Sequence, residues 1–140
     1  VNRNDAASQQ FVEQVFPTLA KDHVDFTVFF NHLTAIAAGE DEAPLLGLFG
    51  DAAAAKEWLK QWREFSDADA ATMRQANPML IARNHQVGKA LADASERDNW
   101  NLFNRLATAL ANPYQVANTD LDLLVPPEPQ ERVMQTFCGT

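Results

Sequence analysis

Three adjacent polar residues, Arg83, Asn84 and His85, are the first group in this 140-residue chain that could do chemistry. A guanidinium, an amide and an imidazole could together hold an anion or move a proton. They follow Pro78, which suits the first position of a helix and would place Arg83 and Asn84 one turn inside it. There, an arginine more often pairs with a carboxylate, and an asparagine more often bonds backbone, than either catalyses a reaction. We therefore predict a structural role for this triplet.

The remaining metal-type ligands are scattered along the sequence. The histidines His23, His32 and His85 share no ligand spacing, and a closed zinc site needs four ligands. The acidic runs 40–42 and 67–69 lack the alternating ligands and the glycine of a calcium loop. Glycine-rich phosphate loops, nucleophile elbows and Cys-x-x-Cys pairs are absent as well. We expect this chain to bind no metal and no cofactor.

The single cysteine, Cys138, is the third residue from the end of the sequence. One cysteine cannot form an internal disulfide, which fits a reducing compartment. It has two interpretations, an inert thiol or a redox group that reaches a partner from an exposed terminus. Composition alone does not choose between them.

Charge and hydropathy exclude two classes of partner. The net charge is −8, and residues 1–76 carry 12 acidic and 6 basic side chains. Because neither half has a basic patch, we expect no binding to nucleic acid. No apolar run approaches the roughly 20 residues of a membrane span, so we expect no membrane association. The sequence begins with Val1, and we expect it to be a segment of something longer.

The elements that must position these residues are helical almost throughout. The pattern predicts an all-α fold of about five to six helices in an irregular bundle over residues 1–113, followed by an extended, proline-containing tail over 114–140. Asn4 or Asp5 is expected to cap the first helix, and Pro17 to kink or split it. Further helix caps are expected at Asp25, Asp51 and Asp98.

The apolar spacing also predicts which residues face the core. In the helix expected from Pro78, these are Leu80, Val87, Leu91 and Ala94, with Gly88 packed closely against a neighbour. In the helix expected after Asp98 they are Trp100, Phe103, Leu106, Ala107 and Leu110. Nine phenylalanines and three tryptophans are many for this length, so we expect some of them to face a partner.

Several short motifs occur in one order along the chain. They are DHVDFTVFFNHL (22–33), EWLKQWREF (57–65), MRQANPMLIARN (73–84), ANPY (111–114) and the final FCGT. In this order they resemble the C-terminal third of the selenoprotein O family, also called YdiU-like proteins. The resemblance spans nearly the whole chain. The FCGT ending departs from the Ser-Cys-Ser-Ser that is common in the family.

The resemblance implies an activity that composition does not. The family has a protein-kinase-like (pseudokinase) fold and transfers AMP from ATP to protein hydroxyl groups with a divalent metal such as Mg²⁺. Its nucleotide-binding lysine and its Asn-Thr-Asp-Asn and Asp-Tyr-Gly segments lie upstream of the matched region, so no catalytic residue is expected here. Cys138 matches the terminal cysteine or selenocysteine, to which redox regulation is attributed. Asn77, Pro78, Arg83 and Asn84 match a signature that we take to be structural.

The sequence thus predicts a helical C-terminal region that supports the upstream kinase-like core of a protein adenylyltransferase. The implied partners are that core and the substrate proteins, in the bacterial cytoplasm or in a mitochondrion. We expect the separated segment to expose apolar surface and to dimerise. The alternative is an autonomous helical module that binds another protein without catalysis. A stand-alone small enzyme is disfavoured, because no acid, base and nucleophile can be placed together.

Overall fold

A computed structural model describes residues 6–67 and 69–132 of the chain. The described residues form α-helices and short 3₁₀ helices and contain no strand, which confirms the predicted all-α class. The α-helices are α1 (Ala6–Lys21), α2 (Phe26–Ala37), α3 (Ala43–Leu46), α4 (Ala52–Phe65), α5 (Ala70–Ala76), α6 (Asn84–Arg97) and α7 (Asn101–Ala111). None of the helices in this part of the chain is long and apolar enough to cross a membrane.

The chain divides into two compact units, unit 1 (Val1–Asn77) and unit 2 (Pro78–Thr140). Unit 1 holds α1 to α5, and unit 2 holds α6, α7 and the 3₁₀ helices Asn118–Leu124 and Pro129–Glu131. The predicted change at residue 113, from helices to an extended tail, lies inside unit 2.

Unit 1 is built around the apolar faces of its helices. Phe29 of α2 is 1% exposed, and its ring packs edge-on against Phe30, Phe49 and Trp58. The other buried members of this core are Val15, Leu19, Leu33, Ile36, Leu45, Leu59 and Met73. Phe29 is thus the aromatic centre of a mainly aliphatic core, and the partly buried rings of Phe30, Phe49, Trp58 and Trp62 pack against it.

Aspartate caps fix where the helices of unit 1 begin. Asp25 accepts a hydrogen bond from the Val28 amide at 2.9 Å, and Asp51 accepts one from the Ala54 amide at 3.0 Å. Both caps were predicted, because an aspartate at this position satisfies an amide that the first turn leaves unpaired. The predicted first cap, Asn4 or Asp5, lies outside the described residues.

The sequence predicted that Pro17 would kink or split α1, but the helix is not split. The helix runs from Ala6 to Lys21 through the proline. The Thr18 hydroxyl donates to the Gln14 carbonyl at 2.8 Å, one position after Glu13, whose carbonyl loses its amide donor to the proline.

Unit 2 packs α6 on α7, and α7 on the first 3₁₀ helix. Its buried apolar residues are Leu80, Leu106, Ala109 and Leu123. Leu123 lies in the 3₁₀ helix Asn118–Leu124, within the stretch that the sequence predicted to be an extended tail. This part of the tail is therefore folded onto the unit, because Leu123 is wholly buried there.

The predicted start of α6 at Pro78 is wrong, since the helix begins at Asn84. The Met79 and Leu80 amides both donate to the Pro113 carbonyl, at 2.8 and 3.1 Å. These two bonds hold the segment after Pro78 against the end of α7.

The inward face of α6 agrees with the prediction in part. Ala94 is buried as predicted and Val87 packs against the core of unit 2, whereas the predicted core residue Leu91 is 52% exposed and Ala90 is buried. A methyl group added at Gly88 would meet no atom within 4 Å, so the predicted close packing there is also wrong.

Asp98, the predicted cap of α7, does not cap that helix. Asp98 adopts the left-handed conformation (φ 51°) and ends α6, whereas α7 begins at Asn101. The Asp98 carboxylate accepts a hydrogen bond from the Trp100 indole at 3.1 Å, which holds that ring in the turn. Trp100 is consequently 50% exposed and Phe103 38%, although both were predicted to face the core. Ala107 is exposed as well, and Leu106 alone of the predicted set is fully buried.

Candidate functional site

The most prominent unexplained surface of unit 1 is apolar. Val12, Phe16 and Phe26 are 45%, 53% and 54% exposed, although each is a large hydrophobic residue. The Phe16 and Phe26 rings are stacked with centroids 6.1 Å apart and planes 7° apart. We call these three residues the aromatic shelf.

A cavity of about 220 Å³ adjoins the shelf. Val12 and Phe16 belong both to the shelf and to the cavity wall. The other lining residues are Phe11, Val15, Phe30, Leu33, Trp58, Trp62, Ser66, Met73 and Asn77. None of these side chains carries a charge, so the site favours apolar groups.

The sequence contains a signal for this surface in addition to the core-facing stripe of α1. Phe11, Val15 and Leu19 form the buried stripe of α1. Val12 and Phe16 form a second apolar stripe, at i, i+4 spacing and one residue further along. A helix with two such stripes has more apolar surface than one core contact covers.

The signature residues lie at the ends of helices. Asn77 follows α5, its amide donates to the Met73 carbonyl, and its side chain donates to the Thr34 hydroxyl at 3.2 Å. Thr34 is 2% exposed and itself donates to the Phe30 carbonyl at 2.7 Å. Asn77 therefore joins α5 to α2 by a buried polar contact.

The rest of the signature lies in unit 2. Arg83 is the residue before α6, is 7% exposed, and accepts the Val87 amide at its carbonyl. Asn84 is exposed and is the first residue of the helix. Within unit 2, Met79 and Leu80 bond the Pro113 carbonyl, so the residues that follow Pro78 lie beside the Pro-Tyr motif at 113–114.

A polar cleft of about 720 Å³ lies in unit 2, and no motif in the sequence indicates it. His85 and Lys89 of α6 line it, and so do Arg105 of α7 and Asp122 of the first 3₁₀ helix. Arg105 donates to Asp120 at 2.9 Å, to Asp122 at 2.6 Å and to the Thr119 carbonyl at 2.8 Å. The side chain is thus engaged in fastening the 3₁₀ helix to α7.

The hydrogen bond from Arg105 holds the pKa of Asp122 below its ordinary value of 3.8. Because the folded-state pKa is the lower one, this contact stabilises the fold above the unfolded pKa and is lost as the pH falls through the folded value. Replacing Arg105 with Gln should raise the Asp122 pKa towards 3.8, as read from the ¹³C resonance of its carboxyl group during titration.

The matched control is Lys89→Gln. The charge of Lys89 is the smallest of the influences on Asp122, so this change should move the pKa less than Arg105→Gln does. If the Asp122 pKa were the same with and without Arg105, the hydrogen bond from Arg105 would not be what lowers it.

The scattered histidine and acidic side chains of the sequence are not brought together in the part of the chain that the structure describes. Among residues 6–67 and 69–132, no three His, Cys, Asp or Glu side chains are grouped so that they could hold a metal ion. His32 lies on α2, where burial lowers its pKa and Glu40 opposes that shift. Cys138 lies outside the described residues.

Comparison with known proteins gives one consistent group of relatives. The chain is 38% identical over 139 residues to a protein of Bradyrhizobium sp. strain BTAi1 named "Protein nucleotidyltransferase YdiU". It is 36% identical over 146 residues to the protein of that name from Rhizobium etli, and 38% identical over 145 residues to that of Shewanella denitrificans. These alignments cover 94%, 99% and 93% of this chain.

The chain spans less than a third of those relatives. The aligned part is 28% of the Bradyrhizobium protein and 29% of each of the other two. No protein-family profile and no solved structure matches the chain.

Proposed function

This chain is a homologue of the C-terminal part of the YdiU protein nucleotidyltransferases, and from that premise we propose that it is the helical supporting region of a protein adenylyltransferase. In this role it packs on an upstream kinase-like core that binds ATP and Mg²⁺ and transfers AMP to hydroxyl groups of substrate proteins. One observation carries the proposal. The relatives align with 94% to 99% of this chain, yet with less than a third of their own length.

The contacts of the described residues support a role without catalysis. Asn77 bonds Thr34, and Arg105 bonds Asp120 and Asp122, so these polar side chains join one element to another. An active site needs groups that converge on one reacting atom. The signature residues are instead distributed between the end of α5 and the start of α6.

The test compares AMP transfer by the long and the short protein. The full-length product of the gene and this 140-residue chain are each incubated with ATP, Mg²⁺ and substrate proteins, and AMP addition is read by intact mass. We expect labelling by the full-length protein alone. Labelling by neither protein would overturn the assigned activity, and labelling by the short chain would overturn its supporting role.

Redox control through Cys138 is the second part of the proposal. It is supported by the position of this cysteine in the motif order that the chain shares with the family. In the full-length protein, oxidised and reduced samples should differ in AMP transfer, and Cys138→Ser should remove that difference. A response to oxidation that persists in Cys138→Ser would rule out this thiol as the switch.

The exposed aromatic residues favour one alternative, an autonomous module that binds another protein. Trp100 and Phe103 of unit 2 form an edge-to-face pair with centroids 5.5 Å apart, and both are exposed, as is the aromatic shelf of unit 1. Exposed apolar patches mark interaction surfaces in general. A full-length protein without AMP transfer, in which these residues stay accessible, would place this alternative first.

A further inference from the structure

We propose that the aromatic shelf and the cavity beside it are the docking site for an apolar segment of the longer polypeptide, which inserts one hydrophobic side chain into the cavity. This inference rests on the proposed function, because it assumes that the chain is one part of a longer enzyme. It adds the surface that makes the contact and the chemistry of what covers it.

The aromatic rings of the shelf are already held in place by neighbouring rings. Phe26 stacks on Phe16 and also packs against Phe30, with a centroid distance of 4.6 Å and a tilt of 49°. Aromatic side chains that are already held by their neighbours lose little conformational entropy on binding. Their exposed faces therefore offer apolar area at a small ordering cost.

The cavity supplies room for an anchor. Its volume of about 220 Å³ exceeds the roughly 150 Å³ of an apolar cavity that accepts benzene. A single aromatic or large aliphatic side chain fits such a space. Binding energy at protein interfaces is concentrated in anchors of this kind, which fill a pocket and are surrounded by contacts that exclude water.

The lining decides the chemistry of the occupant. The cavity wall contains no ionisable side chain, and its polar members are Ser66 and Asn77. A charged segment would lose its hydration without gaining a partner there. The occupant is therefore apolar at the point of contact.

The length of the relatives indicates where the segment that occupies the cavity comes from. More than two thirds of each of the aligned relatives lies outside the matched region. A segment of the same polypeptide meets the shelf at an effective concentration in the millimolar range, which a second copy of the protein does not reach at ordinary concentrations. We therefore assign the site to the protein's own remaining chain.

Hydroxyl-radical footprinting of the unmodified full-length protein tests this directly. Phe26 and Phe29 lie on the same helix and are 54% and 1% exposed in the structure, so an uncovered Phe26 should be oxidised at least about tenfold faster than Phe29. With the shelf covered, we expect Phe16 and Phe26 to be oxidised within about threefold of Phe29, after each rate is normalised to the unfolded protein. Any larger difference overturns the proposal.

Two further comparisons distinguish an intramolecular segment from a second copy, and separate the docking proposal from the proposed activity. Protection that disappears when the protein is diluted a hundredfold would assign the site to a second copy and overturn the intramolecular assignment. Protection that is independent of dilution supports it. Because footprinting does not depend on activity, protection without AMP transfer would leave the docking site standing while the assigned activity fails.

Discussion

Replacing Phe29 with alanine is expected to destabilise this chain by about 3–5 kcal/mol, the usual loss when a buried phenylalanine is truncated. Phe29 is 1% exposed and contacts three aromatic rings, so its removal leaves a cavity that rigid neighbours cannot fill. Urea unfolding followed by circular dichroism measures the change, and hydrogen exchange of peptides from residues 9–67 assigns it to unit 1.

Phe26→Ala is the matched control on the same helix. Phe26 is 54% exposed and contacts only the rings of Phe16 and Phe30 among the ring pairs of the described residues. In the 140-residue chain its removal should cost about 1 kcal/mol, the worth of such ring contacts. Equal losses for the two variants would show that α2 presents a different face to the core.

Leu123→Ala should have a comparably large effect on unit 2, about 2–5 kcal/mol. Leu123 is wholly buried against Leu106 and Ala109 of α7, and it is the main apolar contact of the first 3₁₀ helix. Loss of this side chain should release residues 118–124 and speed amide exchange there and in α7.

Leu121→Ala controls for the change of residue type in the same 3₁₀ helix. Leu121 is 48% exposed, so the cost should stay within about 0.5 kcal/mol. If Leu123→Ala leaves amide exchange in residues 118–124 unchanged, the polar bonds of Arg105 alone hold this segment, and the apolar anchor is not needed.

The sequence predicts α4 well because its signals are local. Asp51, four alanines and the spacing of Trp58, Leu59 and Trp62 all lie within one helix, and the structure begins that helix at Ala52. The cap at Asp25 and the start of α2 were predicted for the same reason. Agreement between local propensity and the final fold is what makes such segments readable.

The sequence misplaces α6 because the deciding contacts are remote. Pro78 is a good first residue for a helix, but the Met79 and Leu80 amides bond the Pro113 carbonyl, 35 positions after Pro78, which fixes this segment against the end of α7. No local pattern contains this contact. Of the predicted inward residues, Leu80 and Ala94 are buried, whereas Leu91 is exposed.

The candidate site divides in the same way. The position of Asn77 after a helix follows from the Asn-Pro motif, whereas Arg83 was predicted one turn inside a helix and instead precedes α6. The bond from Asn77 to Thr34 joins residues 43 apart and could not be predicted. The second apolar stripe of α1 was visible in the sequence, but a sequence pattern does not tell what covers Val12 and Phe16. The hydrogen bond from Arg105 to Asp122 depends on how α7 packs on the first 3₁₀ helix, which no local pattern shows.

The order of the two units has a consequence for synthesis on the ribosome. Unit 1 ends at Asn77, so its aromatic shelf is complete before unit 2 has been translated. At about 5–20 residues per second, the 63 residues from Pro78 to Thr140 take several seconds to emerge. A shelf that docks on chain made earlier can be covered within that interval, whereas a shelf without such a partner faces the chaperones of a nascent chain. The order of synthesis thus shortens the exposure of this apolar surface if its docking segment has already emerged and folded.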